Sequence, residues 1–349
     1  MSTSGNNHLN SISFLKLMLI LGVVCIHSNI TYFLPPEHSR RGADIVAFIV
    51  TLMQVCVPSF FVISGYLFFH GIKHFTFTIY GEKLKRRVRT LLIPYVLWNI
   101  FCAGLFLFKV SVLHFPGLGI IENGIVDWTK FFEGFVYIQQ VSGFPYAFAF
   151  WFIRNLIIFI ILAPVVWMIA RKWWSVALFF IIKIVFGLKL YGIEWFIIGA
   201  ACSLNQVKFE NLKDRFYLFP IFGVSYLLSG IAREYYGMPG TIESILFIME
   251  VVSAFCFLYA VSLRFTVLHN GRLMQFLYSS TFFIYAFHQC FCTVNAKFWI
   301  HVYGCETVFT TLAAFVSSFL TLVLISLSVY LMLRFLSPGF LGIITGKRS

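Results

Sequence analysis

The chain has 349 residues, of which 60% are hydrophobic and only 11% are charged, and its formal net charge is +13. Soluble domains contain about 25% charged residues, so this composition excludes an ordinary soluble domain and indicates a polytopic membrane protein. Positive charge of this size is typical of the loops that set membrane orientation, so it requires no nucleic acid partner. Long apolar runs without strict alternation favour a helical bundle over a β-barrel.

The apolar runs predict an all-α fold, a membrane helical bundle of about ten transmembrane helices in one domain that occupies residues 1–349. The fifth and sixth helices are short, and they could be tilted or form a broken pair around Lys189 and Gly192. The predicted spans are about 12–34, 44–69, 90–109, 147–169, 174–187, 192–205, 216–232, 242–263, 275–295 and 307–335.

The predicted loops differ in their lysine and arginine content. If the N-terminus is inside, 17 of the 26 Lys and Arg residues fall on the inner side, and such loops mark the cytoplasm. We therefore expect both termini in the cytoplasm. The N-terminus has neither a basic n-region nor a small-residue cleavage site, so we expect the first helix to be retained. The longest outer loop, 110–146, could fold over the bundle as a lid or serve as a plain connector.

The eight cysteines form neither a disulfide framework nor a CxxC metal pattern. The sequence also lacks an HExxH zinc motif, a Walker loop and a GxSxG nucleophile motif. We therefore predict no metal site and no tightly bound cofactor. The sequence contains no signal for a particular oligomeric state.

The first predicted helix contains Lys16 and His27, separated by ten apolar or small residues. Eleven helical steps place both side chains on nearly one stripe, about 16 Å apart along the axis. Lys16 could simply extend to the inner interface, with His27 as a hydrogen-bonded packing residue. Alternatively, His27 lies in a cavity where burial favours its neutral form, and a neutral imidazole can take a proton from a hydroxyl group.

The second predicted span contains Ser64 and Tyr66 within Val-Pro-Ser-Phe-Phe-Val-Ile-Ser-Gly-Tyr, and the small residues of this run are typical of close helix packing. The inner loop after it is strongly basic and contains Arg86 and Arg89. These arginines could anchor the loop on anionic lipid. They could also bind phosphates, because the planar guanidinium group donates two hydrogen bonds at once. A cofactor with several phosphates, such as coenzyme A, would match this loop.

Two further intramembrane residues could contribute to a site. Arg154, near the outer end of the fourth span, could extend outward or bind an anionic group or an oxyanion. His288 lies about as deep in the ninth span as His27 does in the first. Two histidines at similar depth are a stronger signal than either alone, although each could still be a packing residue.

The order of five motifs resembles the bacterial acyltransferase type 3 family of integral-membrane O-acyltransferases. The motifs are Lys-x10-His, the Ser64–Tyr66 segment quoted above, Arg-x-x-Arg before Leu-Ile-Pro-Tyr-Val-Leu-Trp, Phe-Trp-Phe-Ile-Arg-Asn-Leu, and Ile-Tyr-Ala-Phe-His. The resemblance extends from about residue 12 to residue 330 and implies a protein of the bacterial cytoplasmic (inner) membrane. It implies acyl-CoA as donor, with acetyl as the expected group, and a carbohydrate, a lipid-linked glycan or another hydroxyl acceptor of the cell envelope.

The resemblance also implies roles for individual residues. The family's Arg/Lys-x10-His motif corresponds to Lys16 and His27, and its Arg-x-x-Arg motif corresponds to Arg86 and Arg89. His27 would then be the catalytic residue, as a general base or as a transient acyl carrier, and the other three would bind acyl-CoA. Further candidates for positioning or for oxyanion contacts are Arg154, His288, Tyr66 and Ser64.

Some members of the family have an additional C-terminal SGNH-type domain outside the membrane. This chain ends soon after its last predicted helix, so we expect the stand-alone form, which would transfer the acyl group directly. The alternative function is a multipass transporter or flippase for a surface glycan or small metabolite, which broken helices and intramembrane charge would also fit. The absence of an internal repeat and the presence of both basic motifs favour the acyltransferase.

Overall fold

The computed structural model describes residues 3–346 except 73, 115, 123, 142, 187–190, 208, 210–216, 237–239 and 266–270. The chain forms two compact units. The first unit comprises Met1–Ile63 and Gln206–Val329, and the second comprises Ser64–Asn205 and Tyr330–Ser349.

The described residues are mostly helical, as the sequence predicts. A small antiparallel hairpin is formed by β1 (Ile121–Glu122) and β2 (Ile125–Val126). The helices are α1 (Thr3–His27), α2 (Arg40–Met53), α3 (Cys56–Phe69), α4 (Phe77–Arg87), α5 (Ile93–Leu113), α6 (Trp128–Glu133), α7 (Trp151–Ile161), α8 (Ala163–Ala170), α9 (Trp173–Phe186), α10 (Ile193–Leu204), α11 (Leu218–Tyr235), α12 (Gly240–Arg264), α13 (Arg272–Phe287), α14 (Cys292–Tyr303), α15 (Val308–Leu336) and α16 (Pro338–Ile344).

Several of these helices are long and apolar enough to cross a membrane. Within the described part of the chain there are five such segments: Asn10–Phe33, Arg40–Phe69, Phe77–Val112, Ile242–Arg264 and Val308–Leu336. A sixth candidate is the pair α7 and α8, in which the two helices are bent by 73°. An all-α, multi-pass membrane protein is therefore confirmed, whereas ten spans and cytoplasmic termini stay predictions.

Several predicted spans are interrupted; the span over 44–69, for example, divides into α2 and α3 at Gln54 and Val55. The span predicted over 147–169 bends between α7 and α8, where Pro164 occupies the first turn of α8. Proline has no N–H to donate to the carbonyl four residues before it. The span predicted over 275–295 ends as an α-helix at Phe287, and a 3-10 turn over His288–Cys290 follows it. The interruptions were not predicted because average hydropathy does not report a bend.

The observed helices also differ from the predicted spans at some of their ends. The segment between the predicted spans 275–295 and 307–335 is expected to be an outer loop, but α14 extends through it to Tyr303. Buried Asn295 interrupts its apolar pattern and donates a hydrogen bond to Ser318 O at 2.9 Å. The predicted ends at 187 and 216, and Lys189, lie outside the described residues.

The first unit is built around α1. This helix packs against α12 and α13, and it buries Leu15, Leu19, Val23 and Val24. Gly22 allows the chain of α3 to approach closely, since a Cβ atom at this position would lie 2.3 Å from Cys56 Sγ. The packing on several sides fixes the position of α1 and of the residue at its C-terminal end.

A buried polar network connects three helices of the first unit. Arg233 on α11 forms an ion pair with Glu250 on α12, and it also donates a hydrogen bond to Gln54 Oε1 at 2.9 Å. Thr51 Oγ1 donates a hydrogen bond to Glu234 Oε2 at 2.6 Å. The Glu250 side chain is fully buried, so the Arg233 guanidinium compensates a charge that would otherwise be costly inside a membrane helix.

Removing the carboxylate of this network should destabilise the fold. We expect Glu250→Ala to lower the free energy of unfolding by about 3–5 kcal/mol, because it leaves Arg233 buried without its partner. The matched control is Glu243→Ala, which removes an exposed carboxylate from the same helix and should change the stability by less than about 0.5 kcal/mol. Unfolding in detergent, followed by circular dichroism, measures both. Equal losses in the two variants would contradict the structural role of the pair.

The second unit contains α5 and the segment 110–146, which is hydrogen-bonded to α5. Tyr95 Oη donates a hydrogen bond to Phe135 O at 2.6 Å, and Asn99 Oδ1 accepts one from Ala147 N at 3.0 Å. Tyr146 Oη donates to Phe131 O at 3.1 Å; burial raises the pKa of Tyr146 to about 12, so its hydroxyl stays protonated. A lid role for this segment stays a prediction.

Candidate functional site

The C-terminal end of α1 presents His27. The helix is unbroken from Thr3 to His27 and then turns, with Ser28 Oγ donating a hydrogen bond to Val24 O at 2.8 Å. Asn29 Oδ1 accepts hydrogen bonds from the backbone N–H and the hydroxyl of Thr31, at 2.9 and 2.8 Å. These bonds satisfy polar groups at the turn and fix the direction in which the chain leaves the helix. His27 itself is partly buried.

The imidazole ring of His27 lies beside that of His288. The two ring centroids are 5.2 Å apart, and the ring planes are inclined by 34°. His288 follows α13 directly, is only 1% exposed, and is bonded through Nδ1 to Ile284 O at 3.0 Å. The structure therefore brings together the two histidines that the sequence places at similar depth.

His27 is the last residue of α1, and His288 directly follows α13. A neutral imidazole in such a position can take a proton from a hydroxyl group. The arrangement therefore suits general base chemistry.

Lys16 lies on the same unbroken helix as His27, eleven residues before it, and is partly buried. The observed helix therefore preserves the common stripe and the axial separation of about 16 Å that the sequence predicts. Its role in binding stays a prediction.

Arg86 and Arg89 lie in the second unit, in one continuous helical segment. Arg86 is in the last turn of α4, and Arg89 is in the π-helical turn Val88–Leu92 that connects α4 to α5. Lys85, Arg86 and Arg89 are exposed and, at spacings of three and four residues, share one face of the segment. Within the described parts of the chain, no hydrogen bond or ion pair engages these three side chains.

The opposite face of the same segment is occupied differently. Lys83 donates a hydrogen bond to Phe68 O, and the Lys83 Nζ and Arg87 Cζ atoms lie 5.5 and 6.0 Å from the centre of the Phe68 ring. These two cations hold α4 against α3, which contains Phe68. Lys83 and Arg87 therefore have a structural role, whereas Lys85, Arg86 and Arg89 are exposed to solvent.

The second unit also contains the remaining candidates. Arg154 Nη1 donates hydrogen bonds to Val136 O and Gly143 O at 2.6 and 2.8 Å, and thus holds the 110–146 segment on α7. Its guanidinium group is therefore already engaged by backbone carbonyls, and an oxyanion contact stays a prediction.

Ser64 and Tyr66 are partly buried on α3. The ring centroids of Tyr66 and His70 are 5.6 Å apart. Gly65, between the two candidates, packs on α10 so closely that a Cβ atom would lie 2.1 Å from Phe196 O. This contact supports the interpretation of the segment as a helix-packing motif.

Comparison with known proteins identifies the family. The family model of the type 3 acyltransferase domain matches residues 9–331, which is nearly the whole chain. The chain belongs to the acyltransferase type 3 family. The resemblance that the five motifs indicate is thereby confirmed, and the protein is an acyltransferase.

One curated relative of this acyltransferase is the succinoglycan biosynthesis protein ExoH of Rhizobium meliloti (strain 1021). The two sequences are 26% identical over 218 residues, which cover 59% of this chain and 56% of ExoH. The chain thus spans little more than half the length of this relative. No solved structure matches the acyltransferase significantly.

Sequence reasoning missed two ion pairs of this acyltransferase. One is Arg233–Glu250, described above, and the other joins Lys183 Nζ to Glu194 Oε2 at 2.6 Å in the second unit. The available signal was an acidic residue inside an apolar span, which is unusual enough to require a nearby cation. The sequence alone does not show which cation is the partner, because each pair joins two different helices.

Proposed function

We propose that this acyltransferase moves an acyl group, with acetyl as the expected group, from cytoplasmic acyl-CoA to a hydroxyl of a cell-surface carbohydrate or a related envelope acceptor. Three things support the proposal: the family, the succinoglycan role in the name of ExoH, and the His27–His288 pair. The observation that carries most weight is the pair, because acyl transfer to a hydroxyl needs a group that removes the hydroxyl proton.

We assign the donor phosphates to Arg86 and Arg89. Lys16 stays a separate candidate for binding acyl-CoA. The exposed face that Arg86 and Arg89 share with Lys85 supports this assignment, because three neighbouring exposed cations complement a polyphosphate. Coenzyme A is a substrate here rather than a resident cofactor, since it leaves as the free thiol.

We assign the chemistry to His27. As a general base, it takes the proton of the acceptor hydroxyl while the oxygen attacks the thioester carbonyl, and it then returns that proton to the departing thiolate. The products are the acyl ester and coenzyme A. In the other route, the acyl group first moves to the His27 ring with release of coenzyme A, and the acceptor hydroxyl then takes it from the ring.

We further propose the bacterial cytoplasmic membrane as the location, with about ten helices and both termini in the cytoplasm. The distribution of lysine and arginine supports this orientation. In the first unit, Ser39 N donates to Cys305 O at 3.0 Å, so two segments that are both predicted to be outside lie together.

The function is tested with purified protein in liposomes, labelled acetyl-CoA and envelope polysaccharide from a strain that lacks the gene. We expect label in the polysaccharide and release of coenzyme A that depends on the polysaccharide. Mass spectrometry of the envelope with and without the gene should show the same acyl group. Transport of a glycan or metabolite without acyl transfer would overturn the proposal.

A further inference from the structure

The hydrogen bond of His288 determines which of its nitrogen atoms is protonated. Its Nδ1 atom lies 3.0 Å from Ile284 O. A carbonyl oxygen only accepts hydrogen bonds, so Nδ1 must be the donor. In the neutral ring the proton is then on Nδ1, and Nε2 presents a lone pair that can accept a hydrogen bond.

The Nε2 atom of His288 has no hydrogen-bond partner among the described residues, although it is buried. The residue is only 1% exposed. Buried polar atoms are nearly always paired, so an unpaired acceptor here calls for a donor that the protein itself does not supply. Such a donor would come from a bound molecule.

The neighbourhood of His288 indicates which kind of molecule this is. The ring lies beside His27, at 5.2 Å between ring centroids; His27 is the last residue of α1, and His288 directly follows α13. An acceptor whose hydroxyl group meets His27 would place an adjacent substituent close to His288. Only a hydrogen-bond donor satisfies Nε2, and in a carbohydrate the commonest donor beside a hydroxyl group is a second hydroxyl group.

We propose that His288 is an acceptor-binding residue, whose Nε2 accepts a hydrogen bond from a hydroxyl group adjacent to the one that is acylated. The inference rests on the proposed function and narrows it: the acceptor is a diol unit, such as a sugar ring with neighbouring hydroxyls, rather than an isolated alcohol. His27 acts on one hydroxyl, and His288 holds the other.

Two variants of His288 separate this role from simple packing. In His288→Asn, the side-chain amide can replace Nδ1 and still donate to Ile284 O, but it offers no acceptor at the position of Nε2. In His288→Gln, the amide oxygen reaches about the position of Nε2 and can accept the hydrogen bond. The two variants are similar in size and polarity, so each serves as the control for the other.

The test uses labelled acetyl-CoA and envelope polysaccharide from a strain that lacks the gene. We expect His288→Asn to raise KM for the polysaccharide by about tenfold or more, and His288→Gln to raise it clearly less. Both variants should keep the affinity for acetyl-CoA. His288→Asn, which keeps the hydrogen bond to Ile284 O, should also keep the melting temperature of the wild type.

Three results would overturn the inference. One is an unchanged KM in His288→Asn, and another is equal impairment of both variants, especially with weaker acetyl-CoA binding, which would indicate packing. In both cases the wild type still transfers the label, so the proposed function stands. If the wild type itself does not acylate the polysaccharide, the proposed function fails, and this inference fails with it.

Discussion

Replacing His27 with alanine should lower the rate of acyl transfer by at least about 100-fold, because a positioned general base typically contributes 10²–10⁴-fold. An acyl-carrier role would give at least as large a loss, since the group that accepts the acyl unit would be missing. The measurement is the rate of label transfer from acetyl-CoA to envelope polysaccharide in liposomes. Affinity for acetyl-CoA should change little, because we assign donor binding to other residues.

The matched control for this variant is His301→Ala, which removes an exposed imidazole from α14 in the same unit. It should transfer acyl groups at the rate of the wild type. If His27→Ala is well folded, by its melting temperature, and transfers at the rate of the control, the role assigned to His27 is wrong.

A trapping experiment distinguishes the two chemical routes. The wild type is incubated with labelled acetyl-CoA without acceptor and is then denatured rapidly. Label that stays on the protein, and that is absent from His27→Ala, would indicate the acyl-histidine. Transfer activity without trapped label would favour the general base.

Replacing Arg86 or Arg89 with alanine should raise KM for acetyl-CoA by about tenfold or more for each residue, because a hydrogen bond to a charged group contributes about 1.5–3 kcal/mol. Arg-to-Lys changes should restore part of the loss, since lysine keeps the charge but not the planar pair of donors. The maximal rate at saturating donor should fall much less than KM rises.

The phosphate assignment has a sharper test in a shortened donor. Acetyl-pantetheine has the thioester and the arm but lacks the nucleotide phosphates, so both arginine variants should use it as well as the wild type does. The wild-type KM for acetyl-CoA should also rise with salt, and this dependence should weaken in the double variant. A suitable control is Arg41→Ala, an exposed arginine in the first unit. Equal losses with both donors would instead favour anchoring of the loop on lipid.

The fold class could be predicted because membrane helices are specified locally, by long apolar runs. The helix that joins Lys16 to His27 was predicted for the same reason. The bend at Pro164 and the turn at His288 were missed because each involves one or two residues within an otherwise apolar run. Helix α14 was missed because its buried Asn295 finds its partner Ser318 on another helix.

Parts of the candidate site could likewise be predicted from local sequence, whereas contacts between residues far apart in the chain could not. Depth along the chain suggested that His27 and His288 are related, but only the folded arrangement gives their distance. The exposed face of Lys85, Arg86 and Arg89 could be identified only from the structure, because the five cations between residues 83 and 89 look alike in sequence. The structure separates Lys83 and Arg87, which contact Phe68, from Lys85, Arg86 and Arg89.

The closeness of the two imidazoles limits the charge that they can hold. Two positive rings at 5.2 Å would repel each other, so the pair should hold at most one extra proton at a time. In the proposed general-base route that proton is on His27 while the hydroxyl oxygen attacks, so His288 stays neutral and its Nε2 keeps the lone pair. One ring would thus change its charge during the transfer while the other continues to hold the neighbouring hydroxyl group.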